Sequence, residues 1–180
     1  MGLWLGRWRR RGEADPAAVA RGICLRLLTL APRTRVELAR ALRKRNVPDD
    51  VAEAVLNRYT EVGLIDDEAY AEAWVGSRHA GRGLARRALA AELRTRGVAE
   101  DTVRDAVDRL DPEQELETAR RLVARRLPAT EGLQPAARVR RLAGMLARKG
   151  YSGSVAYRVV REALESEGHP TEDDMFEGMD

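Results

Sequence analysis

Arg87-Ala88-Leu89-Ala90-Ala91-Glu92-Leu93-Arg94-Thr95-Arg96-Gly97-Val98 reads as one amphipathic helix and its exit. Leu89 and Leu93 stand four residues apart on one helix face, and Gly97 falls where the chain leaves the helix. A left-handed backbone is wanted at such an exit, and glycine adopts it without steric cost. The same plan occurs twice more. Val36-Glu37-Leu38-Ala39-Arg40-Ala41-Leu42-Arg43-Lys44-Arg45-Asn46-Val47 puts Leu38 and Leu42 in that register, with Asn46 at the exit. Arg140-Arg141-Leu142-Ala143-Gly144-Met145-Leu146-Ala147-Arg148-Lys149-Gly150-Tyr151 does so with Leu142, Leu146 and Gly150. Aligning Asn46, Gly97 and Gly150 gives spacings of 51 and 53 residues.

Each stretch is followed by a second periodic run, ending at Tyr59, Leu110 and Leu164. In these runs Val55, Ala106 and Val159 align, and Leu56, Val107 and Val160 follow directly. A further amphipathic helix precedes each stretch, marked by Val19, Ala20, Ile23 and Leu27, then Tyr70, Ala71, Trp74 and Val75, then Val123, Ala124 and Leu127. The repeating unit is therefore three helices, with helix, short turn, helix as its recurring motif. Thr34 and Asp66 are expected N-caps, and Pro112 suits a first helical turn. Gly63 and Asp111-Pro112 close the first and second repeats, and the two-residue excess of the second spacing fits a loop from Pro128 to Pro135.

The expected organisation is all-α: a disordered basic arm over 1–16, three-helix repeats over 17–63, 64–110 and 111–168, and a disordered acidic tail over 169–180. Each repeat is near the lower size limit for burying a core alone, so neighbours should lean on one another in an elongated, curved array. Such arrays offer long surfaces and few deep pockets, which suits binding.

Composition agrees with helices. The 180 residues are 44% hydrophobic but only 4% aromatic, and 34% are charged, against roughly 25% in a typical domain. The single cysteine, Cys24, lies in the apolar run Ile23-Cys24-Leu25; it excludes an intramolecular disulfide and a thiolate metal cage, and fits a reducing, cytoplasmic setting. The nearly uncharged apolar stretch Leu27 to Pro32 is far too short to span a bilayer. At the start, positive charge follows a short apolar patch, the reverse of a signal peptide. Net charge is +3, and the tail from Thr171 carries five carboxylates and no base, which leaves +8 on the residues before it. Nearly all of the positive charge is arginine, Lys44 and Lys149 being the only lysines.

A search for catalytic chemistry finds none. His79 and His169 are the only histidines, and neither has a metal-binding spacing with another ligand. His79, in the charged stretch Ser77-Arg78-His79-Ala80, is expected to be exposed. Gly81-Arg82-Gly83 lacks the third glycine and the preceding strand of a dinucleotide loop. Asp66-Asp67-Glu68 reads as a helix start whose carboxylates cap the end and complement its dipole. Ser152 and Ser154 have no nearby base. No enzyme activity, cofactor or metal is expected.

The basic residues carry more information. Arg45, Arg96 and Lys149 share the position before the exit residue; a cation there favours the negative end of the helix dipole, and would equally line three charges along one edge of the array. From Arg78 to Arg96 the chain holds Arg78, Arg82, Arg86, Arg87, Arg94 and Arg96 against one acid, Glu92. A solvated face normally mixes signs, as Arg104, Asp105, Asp108 and Arg109 do, so this stretch is expected to bind a partner. Tyr70 and Trp74, four apart, are expected in the core. Trp4 and Trp8 share that spacing in the arm without an evident surface to pack on.

The run Gly63-Leu64-Ile65-Asp66-Asp67-Glu68-Ala69-Tyr70-Ala71-Glu72-Ala73-Trp74-Val75, followed by Arg78, Gly83, Leu93 and Arg96-Gly97-Val98, closely resembles the central signature of the RecX family of bacterial recombination regulators. The resemblance extends over roughly residues 17 to 168, including the three-repeat plan. It implies a cytoplasmic protein of DNA repair, homologous recombination and the SOS response that binds the RecA filament on DNA in its helical groove. It further implies that filament growth is blocked and that RecA ATPase, strand exchange and co-protease activities are restrained. Carried over by position, Tyr70, Trp74 and Val75 are framework, and Arg78, Arg82, Arg87 and Arg94 are contact candidates. Arg86, Arg96, Arg140, Arg141, Arg148 and Lys149 join them as candidates for RecA or DNA, with Arg40, Arg43, Lys44 and Arg45 as a secondary set. The family often has lysine where this chain has Arg96, which keeps the charge. The first repeat departs most, with Asn46 in place of glycine. The partners implied are the RecA filament and DNA without sequence preference, met by a monomer and no membrane. The competing reading is a stand-alone DNA-binding protein of tandem helix-turn-helix modules; the acidic, mixed run from Glu100 to Leu110 is a poor recognition helix.

Overall fold

Side chains at the expected positions start the helices. Thr34 Oγ1 accepts from the Glu37 N–H (3.1 Å) while Glu37 Oε2 accepts from the Thr34 N–H (3.1 Å), a reciprocal capping box. Asp66 Oδ1 accepts from the Ala69 N–H at 2.9 Å, and Asp111 Oδ1 from the Glu113 N–H at 3.0 Å, with Pro112 opening the helix. A computed structural model describes residues 15–168. Among these residues the secondary structure is entirely helical: α1 (Pro16–Leu30), α2 (Arg35–Lys44), α3 (Asp49–Glu61), α4 (Asp67–Arg82), α5 (Arg86–Thr95), α6 (Glu100–Asp108), α7 (Pro112–Arg126), a 3-10 turn (Leu127–Thr130), α8 (Pro135–Arg148) and α9 (Gly153–Ser166). Three sets of three helices follow one another in the expected order. The arm with Trp4 and Trp8, and the acidic tail with His169, lie outside the described residues, except that α1 begins at Pro16 with Asp15 as its cap.

The chain divides into two compact units that do not coincide with the repeats. Among the described residues, one comprises those up to Ala71 with Leu93–Thr102, the other Glu72–Glu92 with those from Val103 onward. The middle repeat contributes to both. In the first unit, Leu38, Leu42, Leu56 and Cys24 are fully buried with Ala20, Val47, Val55 and Tyr59 around them. In the second, Leu142, Leu146, Val123 and Val160 form the centre, with Leu116, Ala119, Val159 and Leu164. Truncating a leucine at such a site costs about 2–5 kcal/mol.

All three exits adopt the left-handed backbone: φ is 55° at Asn46, 80° at Gly97 and 92° at Gly150. Two of them also touch another repeat. Within the first unit, a Cβ on Gly97 would lie 2.5 Å from Val36 Cβ; within the second, a Cβ on Gly150 would lie 2.4 Å from the Ala88 backbone nitrogen. Hydrogen bonds repeat this joint at equivalent positions. Thr34 Oγ1 donates to the Arg96 carbonyl at 2.7 Å, and the Ala85 N–H donates to the Lys149 carbonyl at 2.8 Å. The next residue on is used alike, since the Arg35 N–H donates to Asp67 Oδ1 (2.9 Å) and the Arg86 N–H to Glu115 Oε1 (3.0 Å). The exit of one repeat thus seats on the second-helix start of the repeat before it, within each unit.

Three details differ from expectation. Ala124 is exposed, the buried face of α7 being Leu116, Thr118, Ala119, Leu122 and Val123. His79 is buried, at 4% exposure. Its Nδ1 is bonded to the Leu84 carbonyl (2.8 Å) and its Nε2 to Thr118 Oγ1 (3.0 Å); burial is tolerated because both ring nitrogens find partners. Trp74 is half-buried, and its indole N–H donates to Glu92 Oε2 at 2.9 Å; an indole donor at a core edge needs such an acceptor.

Candidate functional site

Helices α4 and α5 carry the densest basic stretch, and the second unit contains most of it. The Arg78 guanidinium lies 4.1 Å from the centroid of the Trp74 ring, a cation–π geometry. Glu92 accepts from Trp74 with one oxygen and pairs with Arg82 through the other at 3.2 Å. Arg86 is half-buried: its guanidinium bonds to the Leu110 carbonyl and pairs with Glu115 at 3.4 Å. Arg87 projects from the same helix start, exposed and without an ion pair among the described residues.

The first unit holds the rest. Arg94 binds Glu100 through two nitrogens at 2.7 and 2.5 Å, and that pairing holds its guanidinium above its ordinary pKa. Arg96 reaches Glu37 at 2.7 Å across the joint. On α2, Arg40 extends toward the Thr95 carbonyl (3.5 Å), while Arg43, Lys44 and Arg45 are exposed and have no ion pair among the described residues.

The expectation that the arginines from Arg78 to Arg96 lack neutralisation is therefore corrected. Counting acids along the chain finds only Glu92, but folding brings Glu37, Glu100 and Glu115 to Arg96, Arg94 and Arg86. These contacts are not equal. Arg94–Glu100 and Arg82–Glu92 are at least half open on the arginine side, so solvent screens both pairs and leaves the guanidinium groups open to another anion. Arg86 and Arg96 are more enclosed and work at joints. Of the three cations before the exits, Arg96 and Lys149 make contacts to another repeat, Lys149 Nζ donating to the Arg82 carbonyl at 2.7 Å. Arg45 does not.

In the second unit, Arg140, Arg141 and Arg148 lie exposed on α8. The sequence reading missed two further cations, Arg121 and Arg125. They stand one turn apart on α7 and, with Arg82 and Lys149, line a cleft of about 580 Å³ floored by Gly81, Gly83 and Leu122. The only signal in the sequence was their four-residue spacing, in a helix whose acids cluster in its first half.

Among the described residues, no group of three or more His, Cys, Asp or Glu side chains is placed to hold a metal ion. Asp67 serves the joint at Arg35, and burial raises its carboxyl pKa against the opposing pull of Arg35. No described helix is long and apolar enough to cross a membrane.

The fold and surface define an all-helical protein of tandem three-helix domains with cationic faces. Models of the first, second and third three-helix domains of RecX match residues 20–58, 66–107 and 113–160. The regulatory protein RecX of Thermobifida fusca is 69% identical over 160 residues, spanning 87% of this chain and 86% of the relative. That of Streptomyces coelicolor is 66% identical over 158 residues (88% and 84%), and that of Mycolicibacterium smegmatis 50% over 153 residues (82% and 81%). The crystal structure of RecX from Lactobacillus salivarius superposes with a TM-score of 0.78 over 83% of this chain and 97% of that one, at 20% identity, which bears on the fold alone. A second RecX crystal structure gives 0.74 at 26% identity, over 82% and 72%. The chain belongs to the RecX family of regulatory proteins.

Proposed function

We propose that this protein restrains the RecA recombinase by binding the RecA filament on DNA, blocking its extension and lowering RecA ATPase, strand-exchange and co-protease activities. It acts as a cytoplasmic monomer without cofactor or catalysis of its own, and the working repeats are 17–63, 64–110 and 111–168. The observation that carries this reading is the set of exposed cations without an ion pair among the described residues on second helices: Arg87 on α5, Arg43 and Lys44 with the adjoining Arg45 on α2, and Arg140, Arg141 and Arg148 on α8. Three equivalent helices thus present charge to one kind of partner, an anionic polymer or an acidic protein surface. Arg82 and Arg94 are available to the same partner through exchange of exposed pairs, and Arg78 lies against Trp74 beside them. Arg86, Arg96 and Lys149 contribute chiefly by holding the joints, and Arg40 lies beside the secondary set.

The test is RecA ATPase on single-stranded DNA with the protein added. Inhibition is expected at amounts well below RecA, and the double variant Arg87→Glu/Arg94→Glu should inhibit at least tenfold less at unchanged helicity. Undiminished inhibition by that variant refutes the assigned surface. Failure of the parent to inhibit, with tight binding to naked DNA, favours the stand-alone DNA-binding reading instead.

A further inference from the structure

We infer that the cleft between the end of α4 and the outer face of α7, lined by Arg82, Arg121, Arg125 and Lys149, is a docking site for the phosphate backbone of nucleic acid. The proposal rests on the reading above only in supposing that DNA is nearby when the protein works.

Four cations and no carboxylate line the cleft; Arg82 pairs with Glu92 outside the lining at 3.2 Å, and Arg121, Arg125 and Lys149 have no ion pair among the described residues. Arg121 donates to Thr118 Oγ1 at 3.0 Å, which leaves most of its fork unused, since a guanidinium carries five N–H donors. Arg125 is exposed and has no ion pair among the described residues. Residues four apart on a helix have Cβ atoms about 5–6 Å from one another, so both guanidinium groups reach the same opening. The helix end at this cleft would by itself repel an anion, because α4 presents its carbonyls there. Lys149 removes that objection: its Nζ bonds to the Arg82 carbonyl and brings a full positive charge to the spot. Gly81, Gly83 and Ala124 keep the floor and rim low.

Two classes of partner carry enough negative charge, nucleic acid and an acidic protein face. The lining favours the first. Protein interfaces draw their affinity from buried aromatic or large apolar anchors, whereas here Leu122 is the one large apolar side chain in the lining and there is no aromatic. Arginine forks with small neighbours, and no shaped pocket, are what sequence-independent phosphate contact requires.

The test uses the full chain and a fluorescent single-stranded oligonucleotide without RecA, with affinity measured across a salt series. Each phosphate contact contributes roughly 0.7 to the slope of log K against log salt on single strands. Arg121→Gln/Arg125→Gln should therefore make the slope shallower by about 1.4, while Arg121→Lys/Arg125→Lys keeps it. Arg158→Gln/Arg161→Gln, which removes the same charge from intrahelical pairs on α9, should leave the slope at the parent value. If the cleft variant and the α9 variant share one slope, or the parent shows no salt-dependent binding, the cleft is not a phosphate site. RecA ATPase inhibition, measured on the same proteins, separates the two readings. A cleft variant that keeps its slope but loses inhibition places acidic protein in the cleft and overturns this proposal alone. A parent that binds DNA but never inhibits overturns the proposed function, and the slopes still decide the cleft.

Discussion

Replacing Gly150 by alanine tests whether the repeat exits are joints or merely turns. A left-handed alanine costs roughly 1–2 kcal/mol in backbone strain, and that term applies at any of the three exits. At Gly150 a second term is added. The new Cβ would stand 2.4 Å from the Ala88 nitrogen, 2.7 Å from its Cβ and 3.1 Å from its Cα. These are mostly atoms of the α5 backbone, which cannot rotate aside, so the exit must lift off α5. Lifting it breaks the Ala85 N–H to Lys149 carbonyl bond (2.8 Å) and strains the buried Tyr151 hydroxyl to Gly83 carbonyl bond (3.0 Å), each worth about 1 kcal/mol net. The sum is about 3–4 kcal/mol. Asn46→Ala meets only the strain term, because position 46 is exposed, and should cost about 1 kcal/mol. Gly97→Ala falls between them, since its obstacle is the Val36 side chain, at 2.5 Å. Urea unfolding followed by far-ultraviolet circular dichroism ranks the three at constant m. If Gly150→Ala costs no more than Asn46→Ala, the exits are turns only and the joint described here does not hold.

Two further outcomes are expected. His79→Leu leaves the Leu84 carbonyl and the Thr118 hydroxyl without their buried partner and should cost about 2–3 kcal/mol in thermal or urea unfolding; a loss below 0.5 kcal/mol would mean that the pair is dispensable. Cys24 should resist maleimide in the folded protein, because burial pushes its thiol from 9.0 up to about 11 and only the thiolate reacts. The raised value also fixes the sign of its linkage: the contribution to stability is complete below pH 9 and is lost as pH rises toward 11. Labelling at pH 8 that is as fast in buffer as in urea would contradict this burial.

The repeat, its helix starts and its exits were legible in the chain because they depend on local rules. A leucine pair four apart, a Thr-x-x-Glu box and a glycine after a helix each act within a few residues. The candidate surface was legible only in part. Arg86 and Arg87 are adjacent and look alike in sequence, yet one is clamped by the Leu110 carbonyl and Glu115 while the other is free for solvent. The difference comes from one carboxylate 29 residues away and a carbonyl 24 residues away, which no local charge count contains. His79 was misread for the same reason. Its charged neighbours announce a surface, and its partners are the Leu84 carbonyl, brought back by the turn after α4, and Thr118 on α7. Arg121 and Arg125 stayed unremarked because only the fold sets them beside Arg82 and Lys149.

The joint also accounts for where the repeats stop resembling one another. Asn46 adopts the same left-handed backbone as Gly97 and Gly150, a conformation that asparagine enters more easily than most side chains do. What glycine adds is the missing Cβ, and that matters only where another repeat presses on the exit. At Asn46, which is exposed, nothing selects against a side chain. The position that receives an exit shows the complementary departure. Thr34 and Ala85 face the exit of a following repeat, whereas the equivalent residue of the third repeat is Arg138, 97% buried. Its guanidinium donates to Thr130 Oγ1 at 3.0 Å and to Glu167 at 2.7 Å, both within its own repeat. A position that elsewhere receives a neighbour is here filled from inside, by a long charged side chain whose donors are satisfied.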